Sequence, residues 1–272
     1  MKFEKDYFLN YCLIDMSDDD GQVVDENNGF YVYNPEAIDA QCPHNIVFVH
    51  GYKTDFFYAM KTASHYYDNL IGLIRGKANF IGIYWPGNTG INFSKAVRQA
   101  STSAPNFAAA LNYIIRHSTT ENPFISLIAH SLGNRECAQT ILTLKSQYNL
   151  NPVKKFIQLA PAINANAYQN EFQGVPLLVP HVTVYYSVHD TVLKDAYGTW
   201  NALINWDWNA AWGSLFQQKR PDDAMGFLGP FGDVPKSVQT INANDIAGIP
   251  VDHGTYLENK KLIADLAKLI NN

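Results

Sequence analysis

The stretch Ile125–Gly133, which reads Ile-Ser-Leu-Ile-Ala-His-Ser-Leu-Gly, decides the predicted fold. It opens with an apolar run typical of a buried strand and ends in a Gly-x-Ser-x-Gly pattern with alanine in the first position. A helical pattern, Asn134–Leu144, follows at once. A serine on a tight turn between strand and helix needs small residues two positions away on each side, because the two elements approach closely there. Ala129 and Gly133 meet that need, so the stretch predicts a nucleophile elbow centred on Ser131.

The composition is that of a globular α/β protein. The chain has 272 residues, of which 47% are hydrophobic, so we predict one domain over residues 1–272 with a sizeable core. The net charge of −5 and the absence of an arginine-rich run argue against a nucleic-acid partner.

The sequence also predicts a compartment. No apolar run reaches membrane-spanning length, and the N-terminal residues lack the apolar segment of a signal peptide. The three cysteines are far apart and show no metal-ligand spacing. We therefore expect a reduced, cytoplasmic protein, although secretion without a cleaved signal would leave no such trace.

Short apolar runs alternate with helical patterns along the chain, which predicts a mainly parallel sheet with helices on both faces. The predicted strands are Tyr7–Asp15, Gly29–Tyr33, Asn45–Val49, Asn79–Tyr84, Ile125–Ala129, Lys155–Ala160, His181–Tyr186 and Val238–Ile241. The predicted helices are Asp55–Arg75, Ser94–Ala100, Asn106–His117, Asn134–Leu144 and Tyr256–Ile270. Functional groups gather at the carboxyl ends of such strands, where His50, Ser131 and Asp190 fall.

Two segments stand apart from this alternation. The acidic stretch at residues 17–21 indicates a solvated loop, because it lacks the spacing and closing glutamate of a calcium loop. Residues 191–237 form an insertion before the final strand, and its part from Tyr197 to Phe231 is rich in Trp and Phe without a clear period. Such an insertion is either a lid or acyl-pocket wall, or a satellite core that covers the sheet edge.

A serine hydroxyl is a poor nucleophile near neutral pH, so Ser131 needs a base within hydrogen-bond reach and an acid that orients the base. In folds that carry this elbow, the acid and then the histidine follow the serine along the chain. His253 is the candidate base, since it lies in a loop between the last predicted strand and the last helix. Asp190, just past the end of a strand, is the candidate acid, with Asp195 and Asp252 as alternatives.

Attack by a serine creates a negatively charged oxygen, which backbone N–H groups can stabilise. One such donor is predicted at Leu132, directly after the nucleophile, and the second at Tyr52, after His50 and Gly51. The alternative is that His50-Gly51 is only a turn that ends a strand.

Several stretches together resemble the α/β-hydrolase superfamily and, within it, a group of poorly characterised bacterial esterase/lipase-like serine hydrolases. That group has a His-Gly-aromatic-Asn stretch, a Trp-Pro after the next strand and an Ala-His-Ser-(Met/Leu)-Gly-Asn-Arg elbow. The resemblance implies the α/β-hydrolase fold and a catalytic triad of Ser131, Asp190 and His253. The stretches that carry it are Val49–Tyr52, Tyr84–Pro86, Ile128–Arg135 and the neighbourhoods of Asp190 and His253.

The chain departs from this pattern at some positions and keeps it at others. Lys53 stands where the family has asparagine, and Phe93 and Ala96 replace a tyrosine and an aspartate. Asn134 and Arg135 match the family and begin the elbow helix. Their expected role is structural: capping, or pairing with a buried carboxylate.

The leading hypothesis is a serine hydrolase of small-molecule or lipid esters of carboxylic acids, which needs neither a metal nor an organic cofactor. One alternative is a catalytically silent binding module on the same fold. Another is a membrane-directed lipase effector whose tryptophan-rich insertion contacts lipid. The presence of serine, acid and histidine in the required order favours the enzyme over the silent module.

Overall fold

A computed structural model describes residues 10–17, 29–197 and 223–272, and within these ranges eight strands form one sheet. The strands are β1 (Cys12–Asp15), β2 (Tyr31–Tyr33), β3 (His44–Val49), β4 (Asn79–Tyr84), β5 (Phe124–His130), β6 (Val153–Leu159), β7 (His181–Tyr186) and β8 (Val238–Asn242). Their order across the sheet is β2-β1-β4-β3-β5-β6-β7-β8. All neighbours pair in parallel except β1 and β2 at one edge. The mainly parallel sheet is confirmed.

Helices join most of these strands. In the described part of the chain they are α1 (Phe56–Leu70), α2 (Phe93–Thr102), α3 (Ala104–His117), α4 (Gly133–Tyr148), α5 (Val175–Leu178), α6 (Met225–Leu228), α7 (Ala243–Ala247), α8 (Thr255–Glu258) and α9 (Lys260–Asn271). Helix α1 packs against α9, whereas α2 and α3 pack against α4. The two groups cover opposite faces of the sheet, as the alternation of strands and helices predicted.

The central strands explain where the site forms. Every residue of β3 and β4 is buried, and so is nearly all of β5, in keeping with their continuous apolar sequences. The chain runs from β3 to β4 on one side and then crosses to β5 on the other side of β3. Ligands of such sheets bind at the carboxyl ends of the strands where the direction of winding reverses. This sheet has that reversal between β3 and β5.

Helix α1 begins at its predicted start but ends before the predicted Arg75. The side chain of Asp55 caps it by accepting a hydrogen bond from the Tyr58 amide at 2.8 Å. The helix ends at Leu70, and a 3₁₀ turn, Ile71–Leu73, carries the chain further. Its buried face includes Tyr66, which stacks on Phe48 of β3 with ring centroids 4.5 Å apart.

The prediction of one continuous C-terminal helix over Tyr256–Ile270 is wrong. The chain forms two helices there, α8 and α9, separated by Asn259, whose backbone is extended at φ −77° and ψ 111°. The Asn259 side chain accepts hydrogen bonds from the amides of Lys261 and Leu262 and so begins the second helix. An asparagine competes for backbone groups in this way more readily than it continues a helix.

Parts of three predictions fall outside the described residues. These parts are the beginning of the Tyr7–Asp15 strand, the acidic stretch beyond Ser17, and residues 198–222 of the aromatic insertion. In the ranges 10–17, 29–197 and 223–272, no helix combines the length and apolar character needed to cross a membrane.

Candidate active site

Ser131 occupies a strained turn at the end of β5. Its φ of 53° lies in the left-handed region, which non-glycine residues rarely adopt. The Ser131 amide donates to the Leu159 carbonyl at 2.9 Å, and its carbonyl accepts from the Ala162 amide at 3.1 Å. These bonds to the end of β6 and the loop after it hold the turn in place, so the elbow predicted from the sequence is present as backbone geometry.

Two glycines allow the close approach on which this turn depends. A Cβ atom on Gly133 would lie 2.3 Å from the carbonyl oxygen of His50, and a Cβ on Gly51 would lie 2.8 Å from the Cβ of Ser131. Neither distance is sterically allowed. The loop after β3 and the start of α4 therefore touch backbone to backbone across the site.

The two residues after the elbow glycine have different structural roles: Asn134 bonds to the turn itself, and Arg135, at the start of α4, pairs with Glu171. The Nδ2 group of fully buried Asn134 lies 2.9 Å from the Ser131 carbonyl and 3.2 Å from the Ala129 carbonyl. Arg135 forms a bidentate ion pair with Glu171, at 3.1 and 2.6 Å. The expected structural roles agree with these contacts, except that Glu171 is partly exposed rather than buried.

The structure brings Ser131, His253 and Asp190 into one chain of hydrogen bonds. The Nε2 atom of His253 lies 2.9 Å from Ser131 Oγ, and its Nδ1 atom lies 2.8 Å from Asp190 Oδ2. Because a carboxylate only accepts, Nδ1 carries the proton of the neutral imidazole and Nε2 is free to accept the serine proton. Asp190 is 0% exposed, and its other oxygen accepts from the Leu193 amide at 2.9 Å.

Neither alternative acid reaches the imidazole ring. Asp252 points instead towards Thr191, accepting from its amide and hydroxyl at 3.1 Å each. Partial burial opposes ionisation of Asp252, but hydrogen bonds from the His253 and Thr191 amides outweigh it and lower the pKa of Asp252. Asp195 lies further along the chain, in a π-helical turn, Val192–Tyr197.

The loop that carries the acid and the loop that carries the base are bound to each other. Buried Ser187 donates its hydroxyl to the Val251 carbonyl at 2.5 Å and accepts from the His189 amide at 3.1 Å. The side chain of Asn244 accepts from the Val251 amide at 2.7 Å. With the Thr191–Asp252 contact, these bonds fix the position of His253 relative to Asp190. Sequence patterns gave no sign of this role for Ser187 or Asn244.

His130, which the sequence placed only beside the turn, supports the histidine loop. Its Nε2 atom donates to the backbone carbonyl of His253 at 2.9 Å. Since that bond requires a proton on Nε2, His130 is held as one neutral tautomer. Burial, and then the neighbouring His253, lower the pKa of His130 to about 3.

His50 and Trp85 connect the ends of β3 and β4. The Trp85 ring donates to the His50 carbonyl at 2.9 Å, and the Trp85 amide donates to His50 Nε2 at 3.2 Å. The His50 Nδ1 atom donates in turn to the Gly51 carbonyl at 2.8 Å. Burial lowers the pKa of His50 to about 4, which keeps the ring neutral as these bonds require. The His-Gly-aromatic stretch after β3 and the Trp-Pro stretch after β4 therefore pack together as one unit.

The two amides predicted as oxyanion donors belong to segments that meet at the elbow. Leu132 directly follows Ser131, and Tyr52 directly follows Gly51, where an added Cβ would lie 2.8 Å from the Cβ of Ser131. Within the described part of the chain, neither amide has a hydrogen-bond acceptor. Both are therefore available to a bound group.

A second serine–histidine pair lies elsewhere in the sheet and lacks these features. His44 Nε2 is 2.9 Å from Ser126 Oγ, but Ser126 lies within β5 and is 0% exposed. The His44 ring stacks on Phe124, and burial lowers the pKa of His44 to about 4. No carboxylate of the described residues contacts this histidine, so the pair is structural.

A cavity of about 200 Å³ opens beside the hydrogen-bonded chain. Its lining comes mainly from the end of β3 and the first turns of α1, together with the loop of His253. The lining residues are Phe48, His50, Gly51, Tyr52, Lys53, Thr54, Tyr58, Thr62, His130, His253, Gly254 and Leu257. The Tyr52 ring also makes an edge-to-face contact with the ring of Phe93. The Phe93 ring makes a similar contact with the ring of Tyr197.

Comparisons with known proteins identify the family and the fold of the chain. Residues 36–201 match the family described as "Alpha/beta hydrolase of unknown function (DUF900)". An uncharacterized protein of Nostoc sp., alr1448, is 24% identical over an alignment that covers 98% of this chain and 84% of that protein.

A solved structure, lipase B of Aspergillus fumigatus, is similar with a TM-score of 0.53 and 15% identity. It covers 88% of this chain, and the chain spans only 56% of the length of that lipase. This likeness shows the fold alone, and the predicted α/β-hydrolase fold is confirmed.

Replacement of Gly133 by alanine is expected to destabilise the protein by about 1–3 kcal/mol or more, because the new methyl group would meet the His50 carbonyl. Urea unfolding measures the loss. Gly72→Ala is the control, since no atom lies within 4 Å of a Cβ built there. Equal stabilities of the two variants would contradict the close approach.

Acid is expected to destabilise the fold through His50 and His130. Their pKa values of about 4 and about 3 in the folded state lie below the unfolded value of about 6.5. Between these values the unfolded state binds more protons, so stability falls as pH falls through that window. From pH 7 to pH 5 the loss is on the order of 2 kcal/mol for each ring.

Urea unfolding at pH 7 and pH 5 tests this expectation. His130→Gln should remove about 2 kcal/mol of the pH-dependent loss, whereas replacing the exposed His181 by glutamine should leave it unchanged. An identical pH-dependent loss in wild type and His130→Gln would show that His130 is not a buried neutral group.

Proposed function

Because the chain belongs to this family of α/β hydrolases, DUF900, we propose that it is a serine hydrolase that cleaves esters of carboxylic acids. One observation carries the proposal: a single imidazole, that of His253, lies 2.9 Å from Ser131 Oγ and 2.8 Å from a buried carboxylate. This is the arrangement that a serine needs to become a nucleophile near neutral pH. The substrate would be a small-molecule or lipid ester.

In the first half of the reaction, Ser131 Oγ attacks the ester carbonyl carbon while His253 Nε2 takes the hydroxyl proton. The carbonyl oxygen becomes an oxyanion and accepts hydrogen bonds from the Leu132 and Tyr52 amides. When the intermediate collapses, the bond to the alcohol oxygen breaks, and His253 returns the proton to that oxygen. The products are a free alcohol and an acyl group bound to Ser131.

In the second half, a water molecule takes the place of the alcohol. His253 accepts a proton from the water, whose oxygen attacks the acyl carbon, and the proton then passes to Ser131 Oγ as the acid leaves. Asp190 orients the His253 ring through Nδ1 and stabilises the imidazolium that forms twice. The oxyanion is stabilised by amides, so the proposed mechanism uses no metal and no organic cofactor.

The strain at Ser131 supports the same assignment. A serine at φ 53° sits on the tight turn between strand and helix where such folds carry their nucleophile, and Ser131 keeps 6% of its surface exposed. In Ser126 the hydroxyl is enclosed in the sheet, and no comparable route to a substrate exists there. A catalytically silent module would not require the strained turn, the free amides and the oriented imidazole together.

A fluorophosphonate probe, which reacts with activated serines, is expected to label the protein once. Ser131→Ala should abolish labelling and the hydrolysis of short-chain 4-nitrophenyl esters, since the attacking oxygen is gone. Mass spectrometry of the labelled peptide measures the site. Ser126→Ala is the matched control and should still be labelled; labelling that survives in Ser131→Ala would refute the proposed nucleophile.

Replacement of Asp190 by asparagine is expected to lower kcat by about 10³–10⁴-fold, because an amide no longer holds the proton on Nδ1 of His253. The alternative acids provide controls: Asp195→Asn and Asp252→Asn should each change kcat by less than about 10-fold. Steady-state hydrolysis of a 4-nitrophenyl ester distinguishes them. A larger loss in either control than in Asp190→Asn would reassign the acid.

A further inference from the structure

The cavity beside His253 has one wall that carries a positive charge. Among the described residues that line it, Lys53 is the only one with an ammonium side chain, and the lining contains no carboxylate. The lining histidine His130 is neutral, because burial lowers its pKa to about 3. A group bound in this cavity would therefore meet one uncompensated cation.

Lys53 has no acidic partner among residues 10–17, 29–197 and 223–272. No carboxylate of the described residues lies within ion-pair distance of its Nζ atom. The acid closest in sequence, Asp55, accepts a hydrogen bond from the Tyr58 amide and caps α1. Asp55 is also absent from the cavity lining.

A second donor lies in the same wall. Tyr58 is 51% exposed and lines the cavity, and in the described part of the chain its hydroxyl has no hydrogen-bond partner. The hydroxyls of Thr54 and Thr62, by contrast, donate to the carbonyls of Tyr52 and Tyr58. The ammonium of Lys53 and the hydroxyl of Tyr58 are thus the available side-chain donors on this wall.

The backbone at Lys53 is unusual for a lysine. Its φ of 60° lies in the left-handed region, where glycine and asparagine are far more comfortable. Its amide donates to the Gly87 carbonyl at 3.2 Å, which fixes this conformation. Asparagine would suit this backbone better, so the conformation alone does not account for a lysine at this position.

We propose that Lys53, aided by Tyr58, selects ester substrates whose acyl chain ends in a carboxylate. One lysine and one hydroxyl compensate one negative charge, which matches a carboxylate better than a dianionic phosphate. The small volume of the cavity fits a short chain. The inference rests on the proposed function: hydrolysis of such an ester at Ser131 consumes water and releases a dicarboxylate and an alcohol.

The test compares two substrates of equal acyl length: 4-nitrophenyl hemiadipate, which ends in a carboxylate, and its methyl ester, which is neutral. The wild type is expected to show kcat/KM about 10-fold higher for the hemiadipate, mostly through KM, and the preference should shrink at high salt. Lys53→Asn suits the backbone conformation and removes the charge, so the ratio should fall about 10-fold. Because Lys53 adjoins Tyr52, only the ratio is compared, which cancels any shared effect on catalysis.

Two further variants complete the design. Lys53→Arg keeps the charge and should retain the preference, whereas Lys61→Gln removes an exposed lysine of α1 that does not line the cavity and should change nothing. A ratio that is the same in Lys53→Asn and wild type would overturn the inference while the hydrolase proposal stands. Failure of the wild type to hydrolyse either ester would instead overturn the proposed function, and the inference with it.

Discussion

The site depends on a single close contact between two backbones. The start of α4 lies so near the end of β3 that a methyl group at Gly133 would overlap the His50 carbonyl. That approach brings the loop of Gly51 and Tyr52 beside the turn that carries Ser131 and Leu132. The same carbonyl accepts the ring N–H of Trp85, so β4 is tied to the contact as well. Any side chain at position 133 would push these two backbones apart and so disturb the turn that carries Ser131.

Around this contact, neutral polar groups rather than ion pairs set the geometry. His50 and His130 each use one ring nitrogen as a donor to a backbone carbonyl, and burial keeps both rings uncharged. Ser187 performs a similar task between the loops of Asp190 and His253. A neutral hydrogen bond fixes orientation at low desolvation cost. The buried charge of Asp190 is consequently left for the one imidazole beside it.

Two kinds of feature could be predicted from the sequence: those with a local pattern, and those whose residues follow one another in a fixed order along the chain. The strands at Asn79–Tyr84 and His181–Tyr186 have the predicted bounds, and the chain order of serine, acid and histidine placed Ser131, Asp190 and His253 within hydrogen-bond reach. The bond from His130 to the His253 carbonyl spans 123 positions and has no local signature. The break at Asn259 could not be predicted from the apolar spacing, because that spacing continues across it. The helix is interrupted there because the Asn259 side chain caps the start of a new helix.

Most of the cavity wall comes from one uninterrupted stretch, residues 48–62, whereas the nucleophile, acid and base come from three distant parts of the chain. Within that stretch, His50, Gly51 and Tyr52 belong to the backbone contact and to the proposed oxyanion donors, whereas residues 53–62 take no part in the proposed bond cleavage. On the proposed function, exchanges confined to residues 53–62 would change which esters are accepted and leave that chemistry in place. Among related chains, divergence of substrate range would then be concentrated in residues 53–62, and grafting them between relatives would be a direct route to altered selectivity.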